Sequence, residues 1–389
     1  MLFVPLEPSH QPCMARILHE GFNMGEDVCA GWLERTGLEQ WRALLDERGA
    51  PRAGLLRVPM GQYFGGRVVG MTGLSGVAVS LAGRGQGVGQ ALMRGALAEM
   101  RDEGTALSAL YGSTTSFYRR CGYQRAGARY MVEVPLRELP GRRGPLQVRE
   151  LSEADFPQLE ALYAQHVTGQ GCLRRGPYLW QRVRGPRGRK ARGFGFFRGE
   201  SLQGYTYLLT ETGQGFQDNT VEASDLCLTT ADAVATFLGL LAGHRAFFTT
   251  ARWPSSACSP LLMLMEEPWS YRLRLDEHWL LRIVDLAAAL TERGYPEGVS
   301  EQLHLRVEDP WFADNSGDWL LKVEQGRAEL SRGGRGEFVL GIAALASLYS
   351  GFASPRALRC AGLLTAPEAT EGAAWRIFGG AAPELTDFF

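Results

Sequence analysis

Val77-Ala78-Val79-Ser80-Leu81-Ala82-Gly83-Arg84-Gly85-Gln86-Gly87-Val88-Gly89 is the stretch on which the fold turns. A strand here feeds a glycine-rich turn and then a helix, so several backbone N–H groups aim at one point. The helix dipole adds positive potential there, which makes a phosphate or pyrophosphate the natural ligand. Glycine suits the turn because a Cβ would hold the backbone away from the phosphate. Downstream, Gly89 to Met100 reads as a helix with Leu92, Ala96 and Met100 on one face and Gly104 just past its end. Upstream, Arg67 to Ser80 has β-branched residues broken by glycine, the pattern of one or two short strands joined by a turn.

Spacing excludes two other phosphate loops. A dinucleotide fingerprint needs Gly-x-Gly-x-x-Gly, and from Gly83, Gly85 or Gly87 the last position is Val88, Gln90 or Leu92. A P-loop needs Gly-Lys-Ser/Thr, and no lysine is near. The sequence does fit Val-x-Val followed by Arg-x-x-Gly-x-Gly, as Val77 and Val79, then Arg84, Gly87 and Gly89. Phe117-Tyr118-Arg119-Arg120-Cys121-Gly122-Tyr123 follows. Together these motifs resemble those of the GCN5-related N-acetyltransferases (GNATs), which bind acetyl-coenzyme A. The resemblance implies that the backbone of Val77 and Val79 holds the pantetheine arm. It also implies that Arg84, Gly85, Gln86, Gly87, Val88 and Gly89 hold the pyrophosphate. Tyr118 is then the general acid for the departing thiolate, with Tyr123 the second choice. A phenol, with its ordinary pKa of about 10, can donate that proton. Leu81 stands where the family usually has proline after the Val-x-Val strand.

The chain has 389 residues, 45% hydrophobic and 21% charged, which predicts an ordinary globular protein of two or three domains. Its 41 basic and 42 acidic residues leave no basic excess to hold nucleic acid. Seven scattered cysteines include no Cys-x-x-Cys pair, so reduced thiols are expected rather than a disulfide framework or a zinc site. The N-terminus lacks a basic signal-peptide region, and the apolar run from Val339 to Ala353 is short for a membrane span. A cytoplasmic protein is expected.

Composition divides the chain into residues 1–140, 146–275 and 276–389, with LPGRRGPL as the first linker. The second segment opens as the first does. VRELSEADFPQLEALYAQH parallels VPLEPSHQPCMARILHEGF, each an extended start, a polar cap and a helix, and Ser152 with Asp155 has capping-box spacing. A strand pair and the helix ADAVATFLGLLAG repeat the later order, but LCLTTADAVA stands where the first copy has its glycine loop. The reading is a duplicated fold that has lost its ligand loop. The basic tract from Arg184 to Gly193 reads as a solvated loop. The third segment mixes strands with a helix-like run from Phe338 to Tyr349, a compact α+β pattern.

RIVDLAAALTERGYPEG, LHLRVED, WLLKVEQGRAEL, LASLYSGFASPRALRCAGLL and the closing DFF resemble the C-terminal region of the Eis (enhanced intracellular survival) family. The resemblance spans the whole chain. It implies an α/β fold of tandem GNAT-like mixed-sheet domains, the second degenerate, followed by a sterol-carrier-like α+β domain. It implies acetyl transfer from acetyl-coenzyme A to amines of cationic substrates such as aminoglycosides, and a trimer-based, often hexameric, homo-oligomer. The family's general base is the terminal carboxylate, here that of Phe389. Asp27 and Trp32 fall where relatives contact the acceptor. The penultimate Phe388 stands where some members carry a substrate-touching acid, and Asp387 is the substitute to consider. Cys121 is a bystander if the amine attacks directly, and no metal is implied. Two alternatives stay open: a protein-lysine or polyamine acetyltransferase, and a non-catalytic acyl-coenzyme A or lipid-binding protein.

Overall fold

In a computed structural model, described here for all residues except Arg143, Gln214, Phe216, Gln217, Glu266 and the side chain of Arg187, the chain forms two units. The first holds Met1–Gly127, Trp279–Pro383 and Phe389; the second holds Ala128–His278 and Glu384–Phe388.

The first unit opens with the strand Leu2–Pro5 (β1) and the helix Gln11–Phe22 (α1). Met14, Ile17 and Leu18 are buried along one face of α1, and left-handed Asn23 ends it by donating to the His19 carbonyl. Then come the helix Glu26–Thr36 (α2), the strands Trp41–Leu45 (β2), Pro51–Phe64 (β3) and Arg67–Val79 (β4), and the helix Val88–Asp102 (α3). Leu107–Tyr111 (β5) and Thr115–Arg120 (α4) follow, and the chain passes into the second unit within Gln124–Pro135 (β6). The stretch read as one or two short strands is the single strand β4. It pairs with β3 from Arg67 to Val79, so its glycines interrupt the apolar pattern without turning the chain. Strand β5 lies parallel to β4 across α3, and the predicted face Leu92, Ala96 and Met100 is buried against the sheet.

The second unit repeats this plan. Gln147–Glu150 (β7) leads through a capping box, in which the Ser152 amide donates to Asp155 Oδ2 at 2.8 Å, into Phe156–His166 (α5). Leu173–Arg174 (β8), Pro177–Arg184 (α6), Arg192–Arg198 (β9), Ser201–Glu211 (β10), Thr220–Leu228 (β11), Ala231–Ala242 (α7) and Thr250–Ser255 (β12) complete it. Its sheet runs β6, β12, β11, β10, β9, β7, parallel only between β11 and β12. The tract expected as a solvated loop includes the end of α6, a 3-10 turn at Pro186–Gly188 and the start of β9.

The chain then returns to the first unit within Arg272–Ile283 (β13), whose last residues pair antiparallel with β5, Trp279 opposite Tyr111. Leu286–Glu292 (α8) leads into a second sheet of Glu301–Glu308 (β14), Gly317–Glu324 (β15), Arg327–Arg332 (β16) and Phe338–Gly341 (β17). The expected helix-like run thus begins as β17 and becomes helical only over Ile342–Tyr349 (α9). Pro355–Cys360 (α10), Leu364–Thr365 (β18) and Glu368–Phe378 (α11) finish the layer, with strands in the order β16, β15, β14, β17, β18. Among the described residues no helix is long and apolar enough to cross a membrane.

Candidate active site

The site begins with a fault in a strand. Leu56 pairs with Ser75 but Gly54 pairs with Ala78, so β4 carries one extra residue at Gly76–Val77. Gly76 has φ +58°, and a Cβ there would lie 2.8 Å from the Trp41 ring and 3.0 Å from Trp32, so only glycine makes this bulge without displacing the indoles. Pairing with β5 extends from Met71 only to Leu74. Beyond it the two parallel strands part. The Ser80 amide donates to the Arg52 carbonyl at 2.9 Å, so by the alternation of a ladder Val77 and Val79 turn their amides and carbonyls the other way, into the gap. An extended amide chain entering there would be held as an added strand.

The gap leads to the glycine turn. Gly85 and Gly87 are left-handed, at φ +76° and +77°, and Gly87 is the N-cap of α3 with no side chain capping it. The first intrahelical bond runs from the Ala91 amide to the Gly87 carbonyl at 3.0 Å. The amides of Gly85, Gly87, Val88 and Gly89 have no hydrogen-bond partner among the described residues. Arg84, Gly85, Gln86 and Gly87 are exposed, while Val88 is buried under the turn. Gln86 closes the loop on itself, its Nε2 donating to the Ala82 carbonyl at 2.8 Å. Unpaired donors at a helix start, beside an exposed arginine, fit a pyrophosphate.

Tyr118 sits at the other end of the gap, on α4. Its ring touches the end of β5 so closely that a Cβ on Gly112 would lie 2.8 Å from it. Burial holds the phenol well above its usual pKa of 10, with a smaller contribution from Cys121, so Tyr118 keeps its proton at working pH. Tyr123 is fully buried and its hydroxyl is engaged with Ser108 Oγ at 2.8 Å, which makes it a core residue of the site's floor. Burial likewise pushes the Cys121 thiol up to about 11, leaving it protonated and a poor nucleophile.

Phe389 ends the chain in the same unit, 3% exposed. Its ring lies on β4, where a Cβ on Gly73 would come within 2.7 Å of it, and packs edge-on to Tyr111 of β5 at 5.5 Å. Its carboxylate has no ion-pair partner among the described residues. Trp32 packs against Trp41 at 5.2 Å and Phe22 at 6.3 Å, over the Gly76 bulge. Asp27 lies exposed in the first turn of α2. Asp387, the substitute weighed for a substrate-touching acid, is instead buried in the second unit against Arg175.

Sequence reasoning missed two buried ion pairs. In the first unit Arg282 of β13, fully buried behind Gly122, donates through Nη2 to both oxygens of Asp309 at 2.8 and 2.7 Å. The loop after Asp309 reaches α3, with Arg94 over the Trp311 ring at 4.8 Å and Arg101 over Phe312 at 5.0 Å. In the second unit Arg175 pairs with Asp225. The one available signal for that pair was an acid at an inward position of β11, between buried Ala223 and Cys227. Among the described residues no group of three or more His, Cys, Asp or Glu could hold a metal ion.

A bulged strand parting from its parallel neighbour and opening onto uncapped amides at a helix start is the arrangement of an acyl-coenzyme A-dependent transferase. The profile of the acetyltransferase (GNAT) domain matches residues 13–126, and a second one matches 171–283. That of the sterol carrier protein domain matches 286–386. A GCN5-related N-acetyltransferase from Anabaena variabilis is 31% identical with a TM-score of 0.94, over the full length of both chains. One from Kribbella flavida is 28% identical at 0.83, covering all of this chain and 98% of its own. An uncharacterized N-acetyltransferase from Streptomyces coelicolor is 27% identical over 77% of this chain and 75% of its own. The chain belongs to the GCN5-related N-acetyltransferases, with two GNAT domains and a C-terminal sterol carrier domain. Eis1 from Mycobacterium abscessus, 20% identical, shares the fold along the full length of both chains at a TM-score of 0.80. GNAT domains use acetyl-coenzyme A as co-substrate, and the splayed strand and free amides of the first unit suit it.

Proposed function

We propose that this acetyltransferase acetylates amines of cationic small molecules such as aminoglycosides by direct attack on the thioester. In this reading the backbone of Val77 and Val79 holds the pantetheine arm, and Arg84 through Gly89 hold the pyrophosphate. The Phe389 carboxylate draws the proton from the attacking amine, and Tyr118 donates to the sulfur as the carbon–sulfur bond breaks. Because its proton is held tightly, Tyr118 acts first by hydrogen bonding to the developing thiolate. The observation that carries the reading is the burial of Phe389 on β4, the strand that carries the bulge, and beside β5, whose end meets the Tyr118 ring. A carboxylate without a cationic partner there both attracts an ammonium and accepts its proton. Asp27 and Trp32 are proposed contacts of the acceptor, the acid by charge and the indole as a wall.

The test is thiol release from acetyl-coenzyme A with aminoglycosides, polyamines and lysine peptides, on the intact chain and on one lacking Phe389. Turnover with aminoglycosides that falls on the order of 10²-fold or more without Phe389 is expected. Equal turnover of the two chains removes the base role. Turnover restricted to polyamines or peptides moves the acceptor to those classes.

A further inference from the structure

The way α4 ends fixes the place of Tyr118. The Tyr118 carbonyl accepts from the Tyr123 amide at 3.1 Å, and the Gly122 amide donates to the Arg119 carbonyl at 3.0 Å. This is a Schellman closure, and it needs a left-handed residue at Gly122, which has φ +85°. Without a Cβ, Gly122 offers a bare face of backbone, and the flat Arg282 guanidinium lies against it. A Cβ there would come within 2.8 Å of Nε and 2.9 Å of Cζ. Arg282 reaches this place from β13, where it pairs with Ser108 of β5, the residue whose hydroxyl meets that of Tyr123.

Arg282 is itself held from the sterol carrier domain. Besides Arg282 Nη2, the Asp309 carboxylate accepts from Asn315 Nδ2 at 2.8 Å and from the Trp311 main-chain amide at 3.0 Å. Asn315 in turn donates to the Val284 carbonyl at 3.1 Å, and its Oδ1 accepts from the Leu286 amide at 3.0 Å and from Arg101 of α3 at 3.2 Å. Arg282, Asp309 and Asn315 are all buried, and all belong to the first unit. Trp311 and Phe312, just after Asp309, pack on the cluster that contains Tyr118, Cys121 and Tyr123. Nε and Nη1 of Arg282 have no hydrogen-bond partner among the described residues. A guanidinium shut away from water with two nitrogens unpaired is costly, so stability does not account for the pair. What the pair does fix is one geometry under the turn that ends α4.

We propose that Arg282 and Asp309 are positioning residues for Tyr118, so that the sterol carrier domain forms part of the acetyl-transfer site. A phenol serves the departing sulfur only within hydrogen-bond reach, and a misplacement of about 1 Å can cost on the order of 10²-fold in rate. Arg282 is the plate on which the Gly122 turn rests. A shorter or unpinned side chain lets that turn settle, and Tyr118 moves with it because its carbonyl is tied to the turn. The Asp309 loop supplies the pin, joining β13, α3 and the start of α8 through Asn315. The proposal rests on the reading of Tyr118 as the general acid.

Arg282→Met tests it, in the full chain and in the chain carrying Tyr118→Phe, by thiol release from acetyl-coenzyme A with the amine of the panel that turns over fastest. The substitution is expected to lower kcat about tenfold or more and to leave KM for acetyl-coenzyme A within about twofold. With Tyr118→Phe in place it should lower kcat no further, since the group it positions is gone. Asp309→Asn keeps the shape and weakens the hold, so a smaller loss with the same dependence on Tyr118 is expected. Should Arg282→Met fail to fold, as judged by lost acetyl-coenzyme A binding, Arg282→Lys carries the same comparison. It keeps a cation for Asp309 and loses the plate against Gly122. A kcat equal to the parent's, or the same fold loss with and without the Tyr118 hydroxyl, overturns the positioning role and leaves Tyr118 as the acid. Tyr118→Phe that by itself leaves kcat unchanged removes the acid, and the positioning role falls with it.

Discussion

The two GNAT copies enter their crossover helices from similarly bulged strands but through different loops. Between β4 and α3 lie the eight residues Ser80–Gly87; between β11 and α7 lie only Thr229 and Thr230. At α3 the N-cap is a left-handed glycine with no side chain to offer, and the first amides stay unpaired. At α7 the N-cap is Thr230, whose hydroxyl accepts from the Ala233 amide at 3.1 Å. A threonine cap stabilises a helix by about 1 kcal/mol relative to none. The first copy forgoes that stability and keeps donors for a phosphate; the second closes the Ala233 amide with its own cap. The core of the second copy, around Phe237, Leu241 and Trp253, runs up to this short connection, with Leu228 before it and Ala233 after it packed in the same cluster.

The largest test of this contrast replaces Ser80–Gly87 by the Thr-Thr of the second copy. Each charge-assisted bond to the pyrophosphate contributes about 1.5–3 kcal/mol, so losing two or more should weaken acetyl-coenzyme A binding on the order of 10³-fold. Calorimetry reads this directly, and a dissociation constant within threefold of the parent would break the comparison. Next, Tyr118→Phe should lower kcat about 10²-fold, and by the same factor at every pH from 6 to 9. The phenol's pKa is raised above 10, so it stays protonated across that range and no limb of the profile is its own. A variant whose profile loses its alkaline limb would show Tyr118 titrating there. Thr230→Ala should lower unfolding stability by about 1 kcal/mol in denaturant and leave KM for acetyl-coenzyme A unchanged, because that cap serves only its own helix.

The smallest effect concerns how the second copy begins. Hydrogen bonds from Arg149 first, then from the Ser152 amide and hydroxyl, pull Asp155 down from 3.8 to about 2. A carboxylate whose folded pKa is depressed contributes fully above its unfolded value and is lost as pH falls through the folded one. Asp155→Asn should therefore cost roughly 0.5–1 kcal/mol near neutrality, a deficit that shrinks as pH drops from about 4 to about 2. A deficit that is constant over that range would mean the carboxylate's charge does not matter to the cap.

Much of the first unit was legible because its signals are local. Helix α3 was visible in Leu92, Ala96 and Met100, the turn in Arg84 through Gly89, and the duplication in two matching strand–cap–helix openings. Where the reading fell short, pairing partners decided. The glycines of Arg67–Ser80 suggested a break, but β3 pairs along the whole stretch and keeps one strand, turning Gly76 into a bulge. Phe338–Tyr349 reads as one apolar run, yet β14 recruits its first four residues as a strand. Asp225 shows only as an acid at an inward strand position, and nothing local marks Arg175 as its partner, since the two meet across 50 residues of chain.

By itself the sequence determined helix α3, the glycine turn before it and the tyrosine that follows, because helix periodicity and turn chemistry act over a few residues. Only the tertiary structure decided that Tyr123 is a core residue, that Asp387 is buried against Arg175, and that Phe389 is sealed on β4. Burial and ion pairing depend on which distant segments share a place, and no spacing along the chain encodes that.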